Sequence, residues 1–353
     1  MRHQLAAVLS AVLLGALPAT ASAGPVAPPQ TQTGQAQADR AMAASVQEWL
    51  AEATQWSSAY TALMDARVDR LTGLMDGGNR LMDLLNARKE REARTWVQSW
   101  AVEQKAAFAA DYDAYGALPP HPPAPPPSLG SEAEELRQDY IVLRDRVGSL
   151  LIQTQTSGEA YIDLVVAAAS GRPNDLRALG SGTFTVMAAH LQAENVMMEN
   201  VRGQAGEPNY YFTNCMLESN LAMIAWARAS EQRILGKPVD LAAVANDMRA
   251  HTAAARQAAD DLVTSADQTG QKLASEPGLQ GTPLFANLTG ALETLRRNAA
   301  IEHQIADEMD RLARAMQASD QAGQESSTVA LNRLVDQRLA LYQQRQALIA
   351  GTA

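Results

Sequence analysis

The chain has 353 residues, of which 46% are hydrophobic but only 5% aromatic, and its 39 acidic against 29 basic side chains give a net charge of -10. An acidic balance of that size offers no electrostatic reason to seek nucleic acid or anionic lipid, so neither is expected as a partner. Abundant Ala with few runs of Val, Ile or Thr argues against sheets, and a lone cysteine excludes an internal disulfide, which leaves closely packed helices as the natural outcome.

Met1-Arg2-His3, the apolar run from Leu5 to Leu17 and the small residues Ala21-Ser22-Ala23 have the form of a secretory signal covering residues 1–23. Cleavage near Ala23 would deliver the mature chain to the periplasm or outside the cell. The apolar run is too short to cross a membrane, and no later stretch of about 18 apolar residues follows, so no membrane span is expected. Residues 24–38, rich in Gln, Pro and Thr, are expected to form a disordered lead.

Residues 39–117 read as helix, starting near Asp39 or Ser45, with Val46, Trp49, Ala53, Trp56, Tyr60 and Leu63 stepping by three and four. Gly77-Gly78 interrupts the run at a cost of about 2 kcal/mol in a helix interior. It is either a kink in one long arm or the turn of a hairpin. The hairpin is preferred, because it lets Trp96 and Trp100 on the return arm pack near Trp49 and Trp56.

Residues 118–130 hold seven of the sixteen prolines and cannot be helical, which predicts an extended polyproline spacer. A ligand for a proline-reading domain is the alternative use of such a stretch. From residue 131 onward Leu136, Tyr140, Leu143, Val147 and Leu150 begin a regular four-and-three alternation that stops at Gly171-Arg172-Pro173. Two nearly all-apolar segments follow between Thr183 and Gly236, and both read as central helices. Asp240 and Thr282-Pro283 are expected helix starts, and Leu331, Leu334, Leu341 and Leu348 line a last helix. The expected fold class is all-α: a long N-terminal helical arm or hairpin, the proline-rich linker, then an antiparallel bundle of about six helices over residues 131–353.

No metalloprotease, haem, phosphate-loop, serine-hydrolase or di-iron spacing is present, so no catalytic residue is assigned. The polar intrusions in the central pair are the remaining candidates. His190 and Glu194, four apart on one helix face, with Glu218 from the partner helix, form a possible three-ligand metal set. Met187, Met197, Met198, Met216 and Met223 are soft ligands in the same stretch. The competing reading is a satisfied buried network with Asn195, Asn200, Asn214 and Asn220, in which the methionines fill core gaps. Cys215 reads as a buried hydrophobe. His251 and the adjacent Glu302-His303 read as surface or boundary residues.

Two functions remain open. One is an exported, non-enzymatic helical scaffold or partner-binding protein, engaging a protein partner or a second copy through its helical stripes. The other is a metal or small-ligand binding bundle centred on His190, Glu194 and Glu218.

Overall fold

The computed structural model describes residues 29–127, 130–200, 203–275 and 280–350, so residues 1–23, read above as a signal, lie outside the described part. Among the described residues the chain is all-helical, with no strand. The helices are α1 (Pro29–Asn86), α2 (Glu90–Ala117), α3 (Gly130–Ala168), α4 (Pro173–Asn200), α5 (Pro208–Ile234), α6 (Leu241–Ser275), α7 (Pro283–Gln317) and α8 (Gln321–Ala350). They form two units, one made of residues up to Arg67 with Phe108–Gln153, the other of Val68–Ala107 with the residues from Thr154 onward.

Helix α1 begins at Pro29, ten residues before the expected start, so most of the stretch read as a disordered lead is helical. Proline fits the first helical position, and the Gln and Ala that follow are good helix formers. A second correction concerns Gly77-Gly78. The helix runs straight through both glycines, and the reversal comes at Ala87–Lys89, where Arg88 takes a left-handed φ of 56°. Lys89 N donates to Leu84 O and Arg88 N to Leu85 O, both at 2.9 Å, which is the Schellman pattern normally built on glycine. The glycines instead make room in the second unit. A Cβ at Gly77 would collide with the Trp100 ring and one at Gly78 with the Tyr161 hydroxyl. Close approach of aromatic rings outweighs helix propensity here.

The first unit is built on aromatic packing. Trp56 and Tyr60 rings lie 4.4 Å apart, Tyr60 meets Tyr115 edge-on at 5.7 Å, and Tyr140 is 6.2 Å from Trp56. Arg67 is fully buried there, its Nε 3.4 Å from Asp111 Oδ2 and its guanidinium 4.3 Å over the Phe108 ring. Residues 118–127, read as a free spacer, are held against α1 by their carbonyls.

In the second unit, α4 packs on α5, α5 on α6, α6 on α7 and α7 on α8, and α5 also meets α7. Asp240 caps α6 by accepting from Ala242 N and Ala243 N at 3.0 Å, and Thr282 caps α7 by accepting from Phe285 N at 3.1 Å. The core mixes alanine with Leu, Ile and Met, including Ala222, Ala227, Ala245, Met248, Ile305, Leu312 and Met316. Small side chains bring helix axes close, and close axes leave little room for a polar group without a partner. That constraint makes the polar residues of this unit informative.

Candidate functional site

Helix α4 carries His190 and Glu194 one turn apart, and the structure brings them together, with His190 Nε2 3.5 Å from Glu194 Oε1. The other carboxylate oxygen of Glu194 accepts from Asn220 Nδ2 at 3.1 Å, and the same amide donates to Asn195 Oδ1 at 2.9 Å. Burial pushes the Glu194 carboxyl up. The His190 hydrogen bond, the positive fields of His190 and Arg338, and the Asn220 amide outweigh it and hold the group below the usual carboxylate range. Glu194, Asn195 and Asn220 are paired with one another here, while His190 Nδ1 is buried with no hydrogen-bond partner.

Glu218 is elsewhere. It faces α6, where His251 Nδ1 lies 2.7 Å from its Oε2, and Asp247 stands 3.8 Å from the other ring nitrogen of His251. Among the described residues no group of three or more His, Cys, Asp or Glu side chains is placed to hold a metal ion. His190 and Glu194 thus share a site, while Glu218 makes a separate pair. The reason is the helical period: residue 218 and residue 220 are about 200° apart around α5, so only one of them can face α4.

The residues that do join the cluster come from α7 and α8. Glu302, expected at the surface, is fully buried; its Oε1 is 3.4 Å from Arg338 Nη1 and its Oε2 accepts from Ser219 Oγ at 3.4 Å. Arg338 also lends its charge to Glu194. Cys215 is buried beside this pair, and burial together with the negative Glu302 pushes its thiol well above the usual range, which leaves it unreactive. Asn298, one turn before Glu302, is fully buried, and neither its Nδ2 nor its Oδ1 has a hydrogen-bond partner. Two turns beyond Arg338, Arg345 is buried with its guanidinium 4.8 Å over the Phe212 ring and 5.4 Å over that of Tyr342. Desolvation lowers its pKa to about 10.

A signal for these residues exists in the sequence. Leu331, Leu334, Arg338, Leu341, Arg345 and Leu348 step by three and four without a slip, so both arginines occupy inward positions of α8. Asn298 and Glu302 sit in the same way between Leu295 and Ile305 on α7. A pattern search that follows only apolar residues passes over them.

A cleft of about 840 Å³ opens between α4, α5 and the start of α8, walled by Phe184, Trp226, Ile234 and Val329, with Arg233 and Gln324 among its polar residues. Phe184 meets Trp226 edge-on at 5.2 Å. Val329 is 62% exposed, and the Trp226 ring is buried with its Nε1–H lacking any acceptor. A buried donor left unpaired costs roughly 1–3 kcal/mol. No protein-family model, no curated protein and no solved structure matches this chain.

Proposed function

We propose that the protein is an exported, non-catalytic partner-binding protein whose antiparallel bundle of six helices presents the cleft between α4, α5 and α8 to a helical segment of another protein. The observation that carries this reading is the unpaired Nε1–H of Trp226, a residue that with Phe184, Ile234 and Val329 makes the apolar part of a cleft otherwise lined by polar side chains. An occupant that fits must bring an apolar side chain against Phe184 and Val329 and one hydrogen-bond acceptor for the indole. An amphipathic helix ending or kinking in the cleft supplies both, since its last turn has free carbonyls. The polar layer of His190, Glu194, Glu302 and Arg338 supports the same reading from the other side, because its charged groups are engaged with one another within the bundle.

The test uses a photo-crosslinking residue at Gln324, in the cleft, and at Val102, an exposed residue of α2. Irradiation of intact producing cells is expected to give a discrete heavier product from position 324 and none from position 102. Equal products from both positions, or none from 324, would contradict the reading. Export is checked separately by sequencing the N-terminus of the protein recovered from the periplasm or the medium, which is expected to start at Gly24.

A further inference from the structure

The first unit holds a proline-rich segment of its own chain against α1. Three donors stand along one stripe of α1, Trp49, Trp56 and Tyr60, and all three are buried. Trp49 Nε1 donates to Pro123 O at 3.1 Å, Trp56 Nε1 to Pro119 O at 2.8 Å and Tyr60 Oη to Pro119 O at 2.9 Å. Arg144 on α3 adds a donor to Pro120 O. The segment they hold, residues 118–127, has seven prolines and no helix or strand over 122–126. Of its side chains only Pro122 is buried, whereas Pro119, Pro120, His121 and Ala124 are exposed.

The recognition is therefore directed at the backbone. A polyproline chain has no internal hydrogen bonds, so its carbonyls are free acceptors on a stiff, preformed helix. Indole and phenol donors on an aromatic wall are the chemistry that reads such a chain. Nothing in the set selects His121 or Ala124, so the surface has no means of distinguishing its own strap from another proline-rich segment. The Trp56–Tyr60 ring pair at 4.4 Å and Tyr140 at 6.2 Å from Trp56 keep the donors fixed whichever segment is present.

We infer that Trp49, Trp56, Tyr60 and Arg144 form a binding site for polyproline peptides, which residues 118–127 occupy in cis as a strap. The strap excludes a competing peptide through its high local concentration, in the millimolar range for a short connection.

The experiment uses the full chain and a synthetic peptide of residues 118–127. Two variants loosen the strap by removing its proline stiffness while keeping its carbonyls, Pro119→Gly/Pro120→Ser/Pro122→Gly/Pro123→Ser and the milder Pro122→Gly, and each is titrated with the peptide by calorimetry and tryptophan fluorescence. Folded variants are expected to bind one peptide at least about tenfold more tightly than the unaltered chain, whose strap competes. Adding Trp56→Phe, which keeps a ring and removes the donor, should weaken that binding by about tenfold. Two results overturn the inference: a folded variant that takes up no peptide, or a chain that unfolds in both variants, which would make the strap a fixed part of the core. Binding to the unaltered chain as tight as to the variants would also overturn it.

Discussion

Each unit buries an arginine, and the two are held in different ways. In the first, Arg67 has a carboxylate 3.4 Å away at Asp111, the Phe108 carbonyl at 3.4 Å and the Phe108 ring beneath it. In the second, Arg345 lies over two rings with no carboxylate paired to it among the described residues, while Arg338, two turns away, takes Glu302. A cation between an anion and a ring is anchored; a cation on rings alone carries its desolvation cost with partial relief. Burial by itself therefore does not say whether a charged residue stabilises its unit. The sign of a truncation does.

The largest effect is expected at Arg67→Met, which leaves Asp111 buried without its cation and should cost about 4 kcal/mol in a denaturant titration. Arg338→Met strands the fully buried Glu302 and should cost about 3 kcal/mol, most of it recovered when Glu302→Gln is added. Full cost in the double variant would show that Arg338 acts by packing and not by charge. Gly78→Ala comes next. Helix propensity alone favours it by about 1 kcal/mol, but the collision with the Tyr161 hydroxyl should turn this into a loss of about 2 kcal/mol.

Arg345→Met is expected to reverse the sign, stabilising the protein by about 1 kcal/mol at neutral pH. Alkaline titration sharpens the contrast between the units. Burial raises the Tyr140 phenol from 10.0 to about 12, so between those values the folded state keeps a proton that the unfolded chain has lost. Stability is present below pH 10 and falls as pH rises, by about 3 kcal/mol from this group. Arg345 works the other way. Its folded pKa of about 10 lies well below the ordinary arginine value, so its penalty is relieved as pH rises through the alkaline range. Arg345→Met should therefore steepen the alkaline loss of stability; an unchanged slope would mean that Arg345 is not desolvated as described.

Much of the secondary structure was legible because the signals are local. Asp240 and Thr282-Pro283 announce helix starts by chemistry confined to three residues, and the structure uses them so. The first reversal was not legible, since its left-handed residue is Arg88 and not a glycine, and the glycines that drew attention answer to rings distant in sequence, Trp100 and Tyr161. His190 with Glu194 was readable from the helical period, whereas the exclusion of Glu218 depended on which face of α5 meets α4. Glu302 and Arg338 were hidden by their charge, which suggests solvent until the partner across the helix interface is known.

On the proposed reading, a partner meets the second unit at the Trp226 cleft and not at the polar layer around His190. The photo-crosslinker at Gln324 tests it most directly when placed in two further backgrounds. Trp226→Phe keeps an aromatic ring and removes the unpaired donor, so it should lower the crosslinked product by about tenfold in a chain that still folds. His190→Ala should lower the melting temperature and leave the product intact. The opposite pattern, product lost with His190→Ala and retained with Trp226→Phe, would contradict the account and move the site to the polar layer.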